Sequence, residues 1–205
     1  AAIMAVMLSG CGSSTTTLTV FNWFDYIDES VIKMFEEETG IKVNYTMFTT
    51  NEEMFAKLEK SAGSYDVIFP SDYIIERMIK EDMLAELDVS AMPNLENLIE
   101  WCRRPDYDPE GKYSVPYMWG TVGILYDPDK VDGGEIDSWG ALMDPQYQRG
   151  VFMLDSIRDS FCVGLKYLGH SLNTKDPEAL RGVRDLLLKQ KEDGIVSGYL
   201  VDETK

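Results

Sequence analysis

Apolar and polar positions switch period several times along the first half of the chain. Leu18-Thr19-Val20-Phe21 alternates and predicts a strand over 18–21. Val31, Met34 and Phe35, with Ile27 just before, recur at helical spacing, which predicts a helix over 28–39 stopped by Gly40. Ile41, Val43 and Tyr45 alternate again and predict a second strand. Asn51 suits a helix N-cap, and Met54, Phe55 and Leu58 behind it mark a second helix ending near Gly63. Asp66-Val67-Ile68-Phe69 reads as a compact buried strand halted by Pro70, and Ile74, Ile75, Met78 and Ile79 as a third helix. Strand and helix in strict alternation predict an α/β fold with a parallel sheet and crossover helices.

From Asp82 to Lys112 the pattern loosens around Pro93, Pro105 and Pro109, with a short helix expected at 95–102. Tyr113 to Gly120 is apolar around Pro116 and suits an edge or crossing strand. Thr121 to Tyr126 is expected to be a strand, 127–134 a polar turn, and Ser138-Trp139 the start of a short helix. Val151 to Leu154 reads as a buried strand. Ser156 to Leu168, with Ile157, Phe161, Leu165 and Leu168 on one face, reads as a helix, as does Pro177 to Lys191. Ile195-Val196 suggests one more strand. This second half starts its own strand–helix pattern without closing it, so the chain is expected to be a fragment of a longer protein. The expected organisation is a first lobe over 18–120 and part of a second over 121–205.

The N-terminal residues stand apart. Ala1 to Met7 is apolar but too short to span a bilayer, and resembles the tail of a secretory signal. Leu8-Ser9-Gly10-Cys11 resembles a bacterial lipobox, which implies cleavage before Cys11 and a lipid on its sulfur. Residues 1–10 would then be a signal remnant, and 11–17, rich in Ser and Thr, a flexible tether. Cys102 and Cys162 remain: they are far enough apart to pair in an oxidising compartment, but Cys162 also suits a small core position on its helix.

The 36 acidic residues against 19 basic ones give a formal charge of −17, a field that disfavours nucleic acid and anionic membrane and attracts cations. Against that background the segment Asn22-Trp23-Phe24-Asp25-Tyr26 stands out, because aromatic residues flank a carboxylate at a strand end. Ring faces attract positive charge and a carboxylate pairs with it, which is equipment for a small organic cation. The same residues also fit a plain reading: Trp23 and Tyr26 as core, Asp25 as a turn or cap residue. Ligands in open α/β sheets bind beyond the carboxyl ends of the strands. There the strand at 66–69 leads into Pro70-Ser71-Asp72-Tyr73, and the strand at 151–154 into Asp155-Ser156-Ile157-Arg158-Asp159. Asp72, Asp155 and Ser156 equally suit helix caps, and Asp159 a first helical turn.

Nucleophile-elbow, phosphate-loop, dinucleotide and zinc-protease motifs are absent from the sequence, and His170 has no nucleophile paired with it by motif, so no catalytic residue and no cofactor is expected. Asp127-Pro128-Asp129-Lys130-Val131-Asp132-Gly133 has acids at the wrong spacing for a calcium loop, and no metal is expected.

From Leu18 onward the chain resembles the polyamine (spermidine/putrescine) substrate-binding proteins of bacterial ABC transporters. The resemblance rests on Asn22-Trp23-Phe24-Asp25-Tyr26, Glu38 to Val43, Asn51-Glu52, Tyr65 to Ser71 and Tyr113 to Gly120. It implies a two-lobed, type II periplasmic-binding-protein-like α/β fold that closes on its ligand, the second lobe being incomplete here. By that resemblance Trp23, Phe24, Asp25, Tyr26, Ser71 and Tyr73 line the site from the first lobe, and Asp155, Ser156 and Asp159 from the second. Phe24 stands where the family usually has Thr or Ser, and Ser156 where it has an acid; both changes remove a polar contact. The implied function is capture of putrescine or spermidine for import by a lipid-anchored, extracytoplasmic, monomeric receptor that meets ABC permease subunits. Another small cationic or neutral solute on the same fold is the alternative, followed by a surface enzyme using paired carboxylates.

Overall fold

The computed structural model describes residues 16–61, 63–131 and 135–201. The chain divides into two compact units, the first ending at Val115 and the second starting at Pro116.

The first unit is built on β1 (Thr17–Trp23), α1 (Glu29–Thr39), β2 (Lys42–Phe48), α2 (Asn51–Lys60), β3 (Val67–Ile68) and α3 (Asp72–Lys80). The three strands form a parallel sheet in the order β2-β1-β3, with Phe21 opposite both Thr46 and Ile68. Central β1 buries three consecutive residues, Val20, Phe21 and Asn22, as a parallel strand covered on both faces does. Phe21, Phe48, Met54, Phe55, Leu58, Ile74 and Met78 form the core, with Tyr65 stacked on Phe21 at 4.5 Å between ring centroids. Asp28 caps α1 by accepting from the Ser30 N–H, and Gly40 ends it in the left-handed conformation, φ 71°, donating back to the Glu36 carbonyl.

The second unit carries β4 (Val151–Leu154), α4 (Ile157–Tyr167), α5 (Pro177–Glu192) and β5 (Val196–Leu200). β4 and β5 pair in parallel, and Val151, Met153, Val163 and Ile195 form its core. Helices α4 and α5 approach closely at Gly164, where an added Cβ would lie 2.6 Å from Val183 Cγ1.

Several expectations need correction. β1 begins at Thr17, which pairs with Lys42, so Thr17 belongs to the sheet and not to the tether. Thr50, not Asn51, caps α2: its backbone is extended and its hydroxyl accepts the Glu53 N–H. The cap position of α3 is Ser71, leaving Asp72 as the first helical residue. The expected helix at 95–102 is two 3-10 turns, Pro93–Asn97 and Glu100–Cys102, because Leu98 and Ile99 take extended angles between them. Neither 113–120 nor 121–126 is a strand. Alternation alone forms no ladder without a neighbouring chain, and Leu125 is 100% exposed. The start of the helix at Ser138-Trp139 is a 3-10 turn, Trp139–Met143, capped by Ser138. The expected signal remnant and lipidated Cys11 lie outside the described residues, and no helix among those described is long and apolar enough to cross a membrane.

Candidate functional site

Because β1 and β3 are adjacent and parallel, the loops that follow them open at the same sheet edge. The Phe69 N–H donates to the Phe21 carbonyl at 3.1 Å, carrying the pairing on to the start of the second loop. On the other side the Phe24 N–H donates to the Phe48 carbonyl at 3.3 Å. The first loop is therefore held by both neighbours of β1.

Within that loop the Trp23 ring packs on Phe48 at 4.6 Å, tilted by 54°, and lies 5.8 Å from the Tyr26 ring at 30°. Trp23 is half-buried, so it serves the core with one side while keeping an accessible edge. Asp25, between the two rings in sequence, is exposed and has φ 62°. That left-handed conformation is uncommon for a residue with a Cβ, though Asp tolerates it better than most. The expected turn role of Asp25 is thus observed.

Phe24 and Asp25 line a shallow groove together with Ile27, Ile32, Tyr45 and Met47. Its lining also includes Asp28, Glu29, Lys33 and Glu36. The side-chain and backbone hydrogen bonds from Ser30 hold the Asp28 carboxyl below its ordinary pKa. The Val43 N–H and the Lys42 ammonium do the same for Glu36. Both stay ionised at neutral pH, so the groove carries carboxylates beside apolar side chains, with Lys33 in its lining and Lys42 paired to Glu36 at 2.9 Å.

The second loop is organised by Asn51, 5% exposed at the start of α2. Its Oδ1 accepts the Ser71 N–H at 3.1 Å, while its Nδ2 donates to Ser71 Oγ at 2.9 Å and to the Tyr73 hydroxyl at 3.0 Å. Tyr73 donates to Glu52 Oε1 at 3.3 Å. The six first-unit positions read from the sequence thus follow two neighbouring strands: Trp23 ends β1, Phe24, Asp25 and Tyr26 form the loop after it, Ser71 sits at the cap position of α3 and Tyr73 lies in its first turn. Asn51 and Glu52, which hold Ser71 and Tyr73, were not read as site residues, although the pair stands among the matching stretches. Asn22, at the end of β1, is fully buried; its Oδ1 accepts the Trp23 N–H at 2.8 Å, and its Nδ2 has no hydrogen-bond partner among the described residues.

In the second unit Asp155 follows β4, exposed, with its N–H donating to the Leu200 carbonyl at 2.9 Å. Ser156 is the cap of α4, accepting the Asp159 N–H at 3.3 Å, so the capping reading holds for that serine. Asp159 is half-buried in the first turn. No group of three or more His, Cys, Asp or Glu side chains suited to a metal occurs among the described residues.

Residues 30–204 match the model of the bacterial extracellular solute-binding protein family. The spermidine/putrescine-binding periplasmic protein of Salmonella typhimurium is 36% identical over 184 residues, which is 89% of this chain and 53% of that protein. The chain thus spans about half the length of the curated relatives it matches. A candidate spermidine/putrescine ABC transporter protein from Listeria monocytogenes superposes with a TM-score of 0.87 at 39% identity, covering 93% of this chain and 58% of that one. The TpPotD lipoprotein of Treponema pallidum superposes with a TM-score of 0.81 at 30% identity, covering 89% and 57%. The expected periplasmic-binding-protein fold is borne out by these likenesses. On the family match and the shared fold together, this chain belongs to the bacterial extracellular solute-binding proteins.

Proposed function

We propose that the protein binds a polyamine, putrescine or spermidine, outside the cytoplasm and delivers it to the permease subunits of an ABC transporter. The observation that supports this reading is the parallel pairing of β1 and β3, after which one segment carries Trp23, Asp25 and Tyr26 and the other Ser71 and Tyr73. The polyamine-binding names of the relatives support the same ligand class. In this account the Asp25 carboxylate pairs with one ammonium group. Trp23, Tyr26 and Tyr73 lie along the methylene chain with their ring faces toward positive charge, and Ser71 accepts a hydrogen bond. On the second unit Asp155, exposed after β4, and Asp159, in the first turn of α4, offer carboxylates of the same kind. Ser156 serves as a helix cap and contributes no charge.

The magnitudes suffice. A desolvated cation–π contact contributes about 2 kcal/mol, and a hydrogen bond to a charged group about 1.5–3 kcal/mol. A few of each offset the cost of ordering ligand and side chains and reach micromolar affinity, about −8 kcal/mol. The protein acts as a receptor and not as an enzyme, as a monomer, and is held at the membrane by a lipid on Cys11. Calorimetric titration with putrescine, spermidine and a neutral sugar tests the reading. Saturable binding of the amines alone is expected; binding of the sugar, or of neither amine, would overturn it.

A further inference from the structure

We propose that the buried asparagines Asn22 and Asn51 are positioning residues that end the β1–β3 ladder after the Phe21 rung, and so fix where the two ligand-bearing segments leave the sheet. The inference rests on the polyamine reading and adds to it the device that opens the sheet edge.

A parallel ladder has an evenly spaced pattern in which every second residue of a strand bonds the same neighbour, through both its N–H and its carbonyl. Val20 pairs with Val67 and Phe21 with Ile68, and the Phe69 N–H donates to the Phe21 carbonyl at 3.1 Å. In that register the next rung needs two donors: the Trp23 N–H, toward the Phe69 carbonyl, and the Ser71 N–H, toward the Trp23 carbonyl. Side chains take both. The Trp23 N–H donates to Asn22 Oδ1 at 2.8 Å, and the Ser71 N–H to Asn51 Oδ1 at 3.1 Å. A backbone N–H carries one proton, so each asparagine oxygen stands in for a bond of the sheet. On the opposite side β1 stays paired for longer: Trp23 is opposite Phe48, whose carbonyl accepts the Phe24 N–H. The stop is confined to the side from which the Ser71 segment departs.

Both asparagines are buried, Asn22 completely and Asn51 to 5% exposure. Asn22 works through its oxygen alone, since its Nδ2 has no hydrogen-bond partner among the described residues. An unpaired buried donor is unfavourable for folding, and one more rung would satisfy the Trp23 N–H without it. Stability alone thus favours an apolar residue at position 22. What the oxygen sets is the backbone at Trp23, the last residue of β1, from which the loop carrying Asp25 and Tyr26 starts.

The test compares Asn22→Ala and Asn51→Ala in the full-length protein by putrescine calorimetry, thermal melts and crystal structures. Each variant is expected to bind putrescine about tenfold more weakly, the scale of one charge-assisted contact. Asn22→Ala is expected to melt no lower than the wild type, a result that a merely structural asparagine does not give. Its crystal structure is expected to show the Trp23 N–H donating to the Phe69 carbonyl. Wild-type affinity in both variants, a ladder that still ends after the Phe21 rung in Asn22→Ala, or loss of folding in both would overturn the inference. The crystal structure reads the ladder without ligand, so this outcome is separate from that of the receptor reading, which a wild type that binds no polyamine would remove.

Discussion

The Trp23 and Tyr26 rings lie 5.8 Å apart, centroid to centroid, on either side of Asp25 in the loop that leaves the central strand. The separation leaves both rings able to contribute to one cation site, with Trp23 anchored on Phe48 from behind. Tyr26→Phe keeps the ring and is expected to leave putrescine affinity within about threefold. Tyr26→Ala removes it and should cost about tenfold, near the middle of the cation–π range. Calorimetry of the two variants checks this, and equal losses would assign the effect to the hydroxyl.

Asp25 separates folding from binding. Its φ of 62° strains any residue with a Cβ, and glycine least. Asp25→Gly should therefore melt close to the wild type, within about 1 kcal/mol, while losing amine binding. Asp25→Ala should lose the same binding and about 1 kcal/mol of stability as well, since Ala lacks the local hydrogen bonding that eases this conformation for Asp. Thermal melts beside titrations distinguish the two effects.

Asp108 ties down the chain just before the first unit ends. It is 3% exposed; its Oδ1 accepts the Lys112 N–H, and its Oδ2 accepts the N–H groups of Tyr113 and Ser114 and the Ser114 hydroxyl. Burial raises its pKa, but these hydrogen bonds outweigh burial and hold the carboxyl below its ordinary value. A carboxyl that binds its proton less readily folded than unfolded stabilises fully above the unfolded value, about 3.9, and loses that stabilisation as the pH falls through the folded one. Acid below about pH 4 should therefore erode the first unit's stability. Asp108→Asn should lose about 1–3 kcal/mol at neutral pH, because its NH2 group faces donors, and should show a flatter acid-side slope. Denaturant melts across pH 3 to 7 check both; an unchanged slope would contradict the assignment.

The close approach of α4 and α5 makes Gly164 sensitive to size. Its new Cβ would meet Val183, a fully buried, stiff side chain. Gly164→Ala is expected to destabilise by about 1–3 kcal/mol through overpacking. Adding Val183→Ala should recover part of that loss, because the methyl group then enters the space vacated. Strictly additive losses in the melts would contradict this packing.

Much of this was readable beforehand where a local pattern and a tertiary role coincide. The apolar run through Val20 and Phe21 matches a strand covered on both faces, the helical spacing of Met54, Phe55 and Leu58 matches the face that α2 buries, and the Gly40 stop matches its left-handed backbone. The shared edge of the Trp23 and Ser71 loops follows from two parallel strands being neighbours. Asn51 was harder. An Asn beside a helix start reads as a cap, and its bonds 20 and 22 positions away leave no local trace. Asp108 was overlooked for a related reason, since a carboxylate in a Pro- and Gly-containing stretch looks like a solvent-facing turn residue. Residues 121–126 alternate like a strand yet are not one, because strand formation depends on a partner that periodicity does not report.

The central claim is that the loop carried by β1 holds an amine through the Asp25 carboxylate, and the most direct measurement is a parallel calorimetric titration of putrescine into the wild type and Asp25→Asn. The substitution keeps shape and tolerance of the left-handed turn while removing the charge. The account predicts micromolar or tighter binding by the wild type and a loss of about tenfold or more in the variant, as expected for one charge-assisted contact. Equal affinity in the two proteins, or no heat of binding in the wild type, would contradict it.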